Sequence, residues 1–290
     1  MNKEHIMKKV WVTGAGSFTA PYLEEALTEY GMLVASPKNL RLGEWDHIEH
    51  FLKEFKPSVI LHLAGISRTD LLDPLPYFAT NYQLTDRLLS ILGRSNLSID
   101  TIMLASTGGV YGASLKTISE KTRVAPLNHY SVSKLAMETL ANKYSNLPIT
   151  IVRPFNYTGI GQSEYFVIPK LVRAFQQADN SIELGDTDAV RDFSDVRDVC
   201  HAYAEIILSE RAPSILNIAS GISYSINEIF EKLQKITGHN MIISSNHNGG
   251  SRVEAGRITC DVSAINSIIK KRRYDIEETL SWMLESNQCA

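Results

Sequence analysis

The sequence predicts an α/β fold, a doubly wound parallel sheet followed by a smaller, mainly C-terminal α/β domain. Three observations predict it. Apolar β-like runs alternate with helix-length stretches through the first half. A turn of small residues, Thr13-Gly14-Ala15-Gly16-Ser17-Phe18-Thr19-Ala20, stands directly between the first run and the first helix. The alternation loosens after about Pro154.

Val10-Trp11-Val12 reads as the first strand and Tyr22–Tyr30 as a helix ended by Gly31. Met32–Ala35 is a second strand. Trp45–Phe55 has helical periodicity and stops at Pro57. Val59–Leu63 is a buried strand, Asn81–Leu92 a long helix, and Gly93 lies beyond it. Ile102–Ala105, His129–Tyr144 and Ile149–Val152 continue as strand, helix and strand. Helices of this length between strands force parallel pairing, with helices on both faces of the sheet. Beyond Pro154 the sequence predicts helices at Pro169–Gln177, Val196–Leu208, Ile226–Thr237 and Ile276–Ser286, with strands at Ile182–Leu184 and Ile215–Ile218. Residues 1–154 are therefore read as a dinucleotide-binding, Rossmann-like domain. Residues 155–290 are read as a mainly substrate-binding domain, with segments near 182–218 returning to the sheet.

Composition narrows the class. The chain has 290 residues, 44% hydrophobic and 21% charged, as a globular protein does. A net charge of −3 argues against a nucleic-acid or anionic-membrane partner. Cys200, Cys260 and Cys289 are far apart and form no C-x-x-C pair, which suits reduced thiols in a cytoplasmic protein. Met1–Lys9 is polar and basic, and Val10–Val12 is too short for a signal peptide or membrane span.

The glycine turn suits a dinucleotide. Gly14 and Gly16 allow the tight bend, and the N–H groups from there through Ser17 and Phe18 can approach a pyrophosphate at the start of the helix. A purely structural turn is the alternative. The second strand ends at Ala35-Ser36-Pro37-Lys38, with no acid to hold a ribose 2′-hydroxyl. Ser36 and Lys38, with Arg41 nearby, instead suit the 2′-phosphate of NADP, with NAD the alternative. Lys38 is equally readable as a solvated loop residue.

Tyr130 and Lys134 stand four apart in Tyr130-Ser131-Val132-Ser133-Lys134, one helical turn from each other on one face. A tyrosine titrates near pH 10, and a neighbouring ammonium ion favours its phenolate. The pair can thus move a proton on or off an alcohol oxygen while a hydride moves at the attached carbon. Twelve tyrosines make such a spacing common by chance, so its company decides.

That company resembles the extended short-chain dehydrogenase/reductases, the NAD-dependent epimerase/dehydratase family. The matching stretches run in order: Val12-Thr13-Gly14-Ala15-Gly16, Leu61-His62-Leu63-Ala64-Gly65, Thr107-Gly108-Gly109-Val110-Tyr111-Gly112, the Tyr130/Lys134 pair, Arg153-Pro154-Phe155-Asn156 and Arg191-Asp192-Phe193. The second half is most similar to GDP-4-keto-6-deoxy-D-mannose reductases, through Phe155–Ser163, Ala189–Asp198 and Asn217–Gly221.

The resemblance implies roles. Tyr130 would be the proton donor or acceptor, Lys134 its pKa-lowering partner on the nicotinamide ribose, and Thr107 the hydroxyl that orients the reacting sugar oxygen. Leu63, Ala64 and Gly65 would line the cofactor groove, and Pro154 and Phe155 would border the nicotinamide. Asn156, Arg191 and Arg252 would hold the sugar and diphosphate of a nucleotide-diphosphate sugar. Turn-forming or solvated roles are the alternatives for Asn156 and Arg252. The family also implies a homodimer.

Two departures stand out. Gly108 and Gly109 occupy the positions where 4,6-dehydratases carry an acid, so neither can serve an elimination. Arg41 stands nearest to where the family places an adenine-contacting aspartate. The expected activity is reduction of a 4-keto-6-deoxy sugar nucleotide, probed against two alternatives, an epimerase using the same residues and a non-catalytic dinucleotide sensor. His47 and His50 lack a third metal ligand and read as a solvated helix face, and no metal is expected.

Overall fold

A computed structural model describes residues 7–114, 116–245, 258–270 and 273–286. The chain runs β1 (Lys9–Thr13), α1 (Ala20–Glu29), β2 (Leu33–Ala35), α2 (Trp45–Phe55), β3 (Val59–His62) and a short α3 (Leu75–Tyr77). A π-helical segment, Phe78–Gln83, joins α3 to α4 (Leu84–Arg94). Next come β4 (Thr101–Ala105), a 3₁₀ turn at Gly108–Tyr111, α5 (His129–Glu138), α6 (Leu140–Lys143), β5 (Ile149–Pro154) and β6 (Asn156–Thr158). The rest is α7 (Val167–Gln176), β7 (Ser181–Leu184), β8 (Val190–Asp195), α8 (Val196–Leu208), β9 (Ile215–Ile218), β10 (Ser223–Ser225), α9 (Ile226–Thr237), β11 (Ile242–Ser245), α10 (Ser263–Asn266) and α11 (Ile276–Glu285). Among the described residues, no helix is long and apolar enough to cross a membrane.

The chain divides into two compact units. The first comprises Met1–Val110, Pro126–Arg153 and Cys200–Leu216. Its six-stranded sheet has the order β2-β1-β3-β4-β5-β9, and β1 pairs in parallel with both β2 and β3. β3, β4 and β5 continue in parallel. This is the expected sheet, and its strands are apolar on both faces because helices cover both. Trp11, Ile60, Ile102 and Leu104 from the strands pack with Ile48, Leu52, Leu88, Leu92, Met137 and Leu140 from the helices.

The second unit comprises Tyr111–Ala125, Pro154–Val199 and Asn217–Ala290. It holds a three-stranded sheet, β10-β8-β6, and a parallel pair, β11-β7. Its core gathers Leu171, Phe175, Phe193, Ile229, Phe230, Leu233 and Leu280. Of the segments expected to return to the main sheet, Ile215–Ile218 does so as β9, whereas Ser181–Leu184 pairs only with β11. Among the described residues, six strands and helices went unpredicted for physical reasons. β6, β10, β11 and α10 are three or four residues long, β8 interleaves Arg191, Asp192 and Asp195 with its apolar residues, and α3 carries Pro76. The expected helix His129–Tyr144 is two helices, because the Thr139 hydroxyl donates to the Ala136 carbonyl, 2.6 Å away, at the break.

Candidate active site

The glycine turn is shaped by steric necessity. Gly14 has φ +82°, and a Cβ there would lie 2.9 Å from the Ala64 backbone nitrogen. Only glycine lets β1 end against the Leu63–Ala64 backbone that follows β3. The Ser17 N–H donates to the Gly14 carbonyl at 2.9 Å and closes the bend. A Cβ on Gly16 would meet nothing within 4 Å, so this side of the turn is open to a ligand. Phe18 packs edge-on against Tyr22, with ring centroids 5.8 Å apart. Pro21 starts α1 and no acid occupies its first turn, which leaves its N-terminal N–H groups suited to an anion.

Two serine hydroxyls test the fit of a phosphorylated cofactor. The Oγ atoms of Ser17, in the turn, and Ser36, just past β2, are both buried and make no hydrogen bond. Orphaned buried hydroxyls are costly, and phosphate oxygens would satisfy both. Lys38, two residues on, is exposed. The residues present therefore fit a dinucleotide with a phosphate near Ser36.

Thr107, Tyr130 and Lys134, the residues expected to manage the proton, lie in the same unit. Asn128 caps α5 by accepting the Ser131 N–H at 2.9 Å, which places Tyr130 in the first turn. Tyr130 is partly exposed, and its ring lies 6.4 Å from that of Tyr77. Lys134 is buried, and its Nζ donates to the Ala105 carbonyl at 2.7 Å. Burial pushes its pKa down to about 8, opposed by the nearby Glu138 carboxylate. A Cβ on Gly65 would come within 3.2 Å of that Nζ, so a glycine there leaves the ammonium room. Thr107 follows β4, and its Oγ1 accepts the Gly109 N–H at 3.1 Å. A Cβ on Gly109 would lie 2.6 Å from Ser131 Oγ and 3.4 Å from Thr107 Oγ1. Thr107 and the first turn of α5 thus both lie against residue 109, where any side chain would require Ser131 to shift.

Sequence reasoning missed the buried supports of this cluster. Asn81, buried within the π-helical segment, accepts the Ile66 N–H at 2.9 Å and donates to Ser133 Oγ at 2.9 Å. It ties the loop after β3 to α5. Beside it runs a chain with only one proton order. Thr85 donates to the Asn81 carbonyl at 2.9 Å, so its oxygen must accept from His62 Nε2 at 2.8 Å. His62 Nδ1 is then an acceptor for the Thr13 hydroxyl at 2.9 Å, which itself accepts the Ala64 N–H at 3.2 Å. His62 is thus a neutral Nε2–H tautomer, and burial, helped by the Lys134 charge, lowers its pKa to about 3. The only sequence signal for these roles was polar residues inside otherwise apolar runs.

The remaining candidates lie in the second unit. Pro154 ends β5, and Phe155 is buried with its ring 6.2 Å from that of Tyr111. Asn156 opens β6 and is exposed. Arg191 lies in β8 opposite Tyr224 of β10, partly buried, and its Nη1 donates to the Val190 carbonyl at 2.9 Å. Its neighbour Asp192 is buried and accepts the Ser220 and Gly221 N–H groups, each at 2.7 Å. Arg252 lies outside the described residues.

A model of the NAD dependent epimerase/dehydratase family matches residues 10–219. The chain belongs to that family. Among its epimerase/dehydratase relatives, a GDP-6-deoxy-D-talose 4-dehydrogenase of Aggregatibacter actinomycetemcomitans is 36% identical, with 82% of this chain and 83% of that protein covered. A GDP-6-deoxy-D-mannose reductase of Pseudomonas aeruginosa is 32% identical, covering 79% of this chain and 80% of the reductase. The structure of RMD from Pseudomonas aeruginosa complexed with NADPH superposes with a TM-score of 0.86 at 28% identity, covering 96% of this chain and 98% of that one. Family membership makes the chain an NAD(P)-dependent enzyme with a Rossmann-like sheet.

The His62 chain carries a prediction. The unfolded histidine titrates near 6.5 and the folded one near 3, so between these values the unfolded state holds the extra proton. Stability is then full above pH 6.5 and falls as pH drops toward 3, by up to about 1.4 kcal/mol per pH unit from this residue. Urea denaturation from pH 7 to 4.5 checks this. The stability advantage of wild type over His62→Gln should shrink as pH falls, and a constant difference would contradict the assignment.

Proposed function

We propose that this chain is an NADP-dependent reductase of a GDP-linked 4-keto-6-deoxyhexose. The observation that supports the reading is that Thr107 and the carbonyl bound by Lys134 both lie at the end of β4, against the helix that carries Tyr130, with glycine where an eliminating acid would stand. Two relatives named as redox enzymes of GDP-linked 6-deoxyhexoses support the substrate class.

The bound nicotinamide supplies the hydride. The chain's residues manage the proton and the orientation. Tyr130 gives its phenolic proton to the C4 oxygen as the carbonyl becomes an alcohol, and regains one from solvent. Lys134, held as an ammonium ion at its buried post, stabilises the phenolate left behind. Thr107 accepts from Gly109, so its own proton is directed to the sugar oxygen. Gly14, Gly16, Ser17 and Phe18 take the pyrophosphate side of the cofactor, and Ser36 and Lys38 its 2′-phosphate. Leu63, Ala64, Gly65, Pro154 and Phe155 border the rest. Asn156 and Arg191 bind the sugar and diphosphate.

An epimerase would use the same Tyr-Lys chemistry but return the hydride to the same carbon. Net oxidation of NADPH separates the two readings. Tyr130→Phe should lower kcat at least about 100-fold while NADPH affinity, measured by fluorescence titration, is retained. Full turnover in that variant would end the mechanism. In the Ser36→Ala/Lys38→Ala double variant, KM for NADPH should rise about tenfold, equivalent to one lost charge-assisted contact, with KM for NADH unchanged. Equal effects on both cofactors would assign these residues to something other than the 2′-phosphate.

A further inference from the structure

The mechanism leaves one buried charged group unused. Glu138 stands one turn beyond Lys134 on α5 and is almost fully buried, as is Arg153 at the end of β5. The pair is bidentate: Arg153 Nε donates to Glu138 Oε1 at 2.9 Å, and Nη2 to Oε2 at 2.5 Å. Ser106 donates its hydroxyl to the same Oε1 at 2.5 Å. Ser106 sits between Ala105, whose carbonyl receives Lys134, and Thr107. Its own N–H is committed to the Val152 carbonyl at 2.8 Å, next to Arg153. One carboxylate therefore joins the ends of β4 and β5 to the helix that carries Tyr130 and Lys134.

A buried ion pair is a poor stabiliser, since apolar residues of similar volume often serve the fold as well or better. Its geometry here points to another use. We propose that Glu138, clamped by Arg153, is the positioning residue of this centre: through Ser106 it registers Thr107 and the Ala105 carbonyl against α5, and its charge keeps the buried Lys134 an ammonium ion. The inference rests on the proposed roles of Thr107, Tyr130 and Lys134.

Lys134 is faced by Glu138 from its own helix, by His62 from β3 and by Asn81 beside Gly65, with Arg153 behind Glu138. His62 stays neutral above its low pKa, so Glu138 is the one anion in this set. Removing its charge takes the bidentate carboxylate away from the buried Arg153 and leaves Lys134 without its anion, which disfavours the ammonium form.

The test is a titration that needs no turnover. In the cofactor-free protein labelled with [13C]lysine at Cε, the Lys134 signal is assigned by its loss in Lys134→Met and followed against pH. Wild type should titrate near 8, and Glu138→Gln should titrate at least about one pH unit lower. An unshifted midpoint would overturn the proposal. Should Glu138→Gln not fold, Ser106→Ala keeps the ion pair and cuts only the tie to β4. Its kcat should fall about tenfold with KM values within about threefold and Tm within about 4 °C of wild type. An unchanged kcat would overturn the positioning role. Wild-type protein inactive on the keto sugar, with the lysine midpoints still separated, would defeat the substrate reading and leave the positioning role supported. The Ser106→Ala measurement then uses whichever nucleotide sugar the enzyme turns over.

Discussion

A lysine ammonium buried under the first helix face of α5 is the constraint on which the rest of the site depends. Lys134 is 4% exposed, and water is not there to solvate it. The fold supplies substitutes: the Ala105 carbonyl accepts from Nζ, and Glu138 lies one turn away. Glu138 comes with the same helix, and the Ala105 carbonyl must arrive at the right height, which fixes β4 against α5. The neutral tautomer of His62 belongs to the same requirement, because a second cation beside Lys134 would be repelled and poorly solvated. Gly65 belongs to it as well, since any side chain there would press on the amine.

From this arrangement the chemistry narrows. Tyr130 shares the helix with its lysine, and Thr107 is fastened to the first turn through the close approach of Gly109 to Ser131. Gly109 carries no acid, so the proposed reaction has no group there for an elimination. The glycine turn after β1 and the buried, unpartnered hydroxyls of Ser17 and Ser36 lie in the first unit and fit the proposed dinucleotide. Membership of the epimerase/dehydratase family and the two GDP-6-deoxyhexose relatives agree with this assembly.

What was legible in the sequence followed from period and punctuation. The strands of the main sheet are apolar runs between helices of ordinary length, and β1, β3, β4 and β5 appear within a residue or two of where Val10–Val12, Val59–Leu63, Ile102–Ala105 and Ile149–Val152 placed them. Tyr130 and Lys134 stood out by their spacing, and Thr107 by the resemblance of its stretch to the family. His62, Asn81, Ser106 and Glu138 did not stand out, because their roles depend on hydrogen bonds between residues 15 to 52 positions apart. β8 was missed because Asp192 and Asp195 look like solvent-facing residues and are instead buried against backbone N–H groups and Arg197. The π-helical entry to α4 has no periodic signature, yet it carries the buried Asn81.

The measurement that bears most directly on this account is the absorbance of NADPH on mixing purified protein with freshly prepared GDP-4-keto-6-deoxymannose. The account predicts rapid loss, with one NADPH consumed for each keto sugar reduced. NADPH that binds to the protein and is not consumed would contradict it.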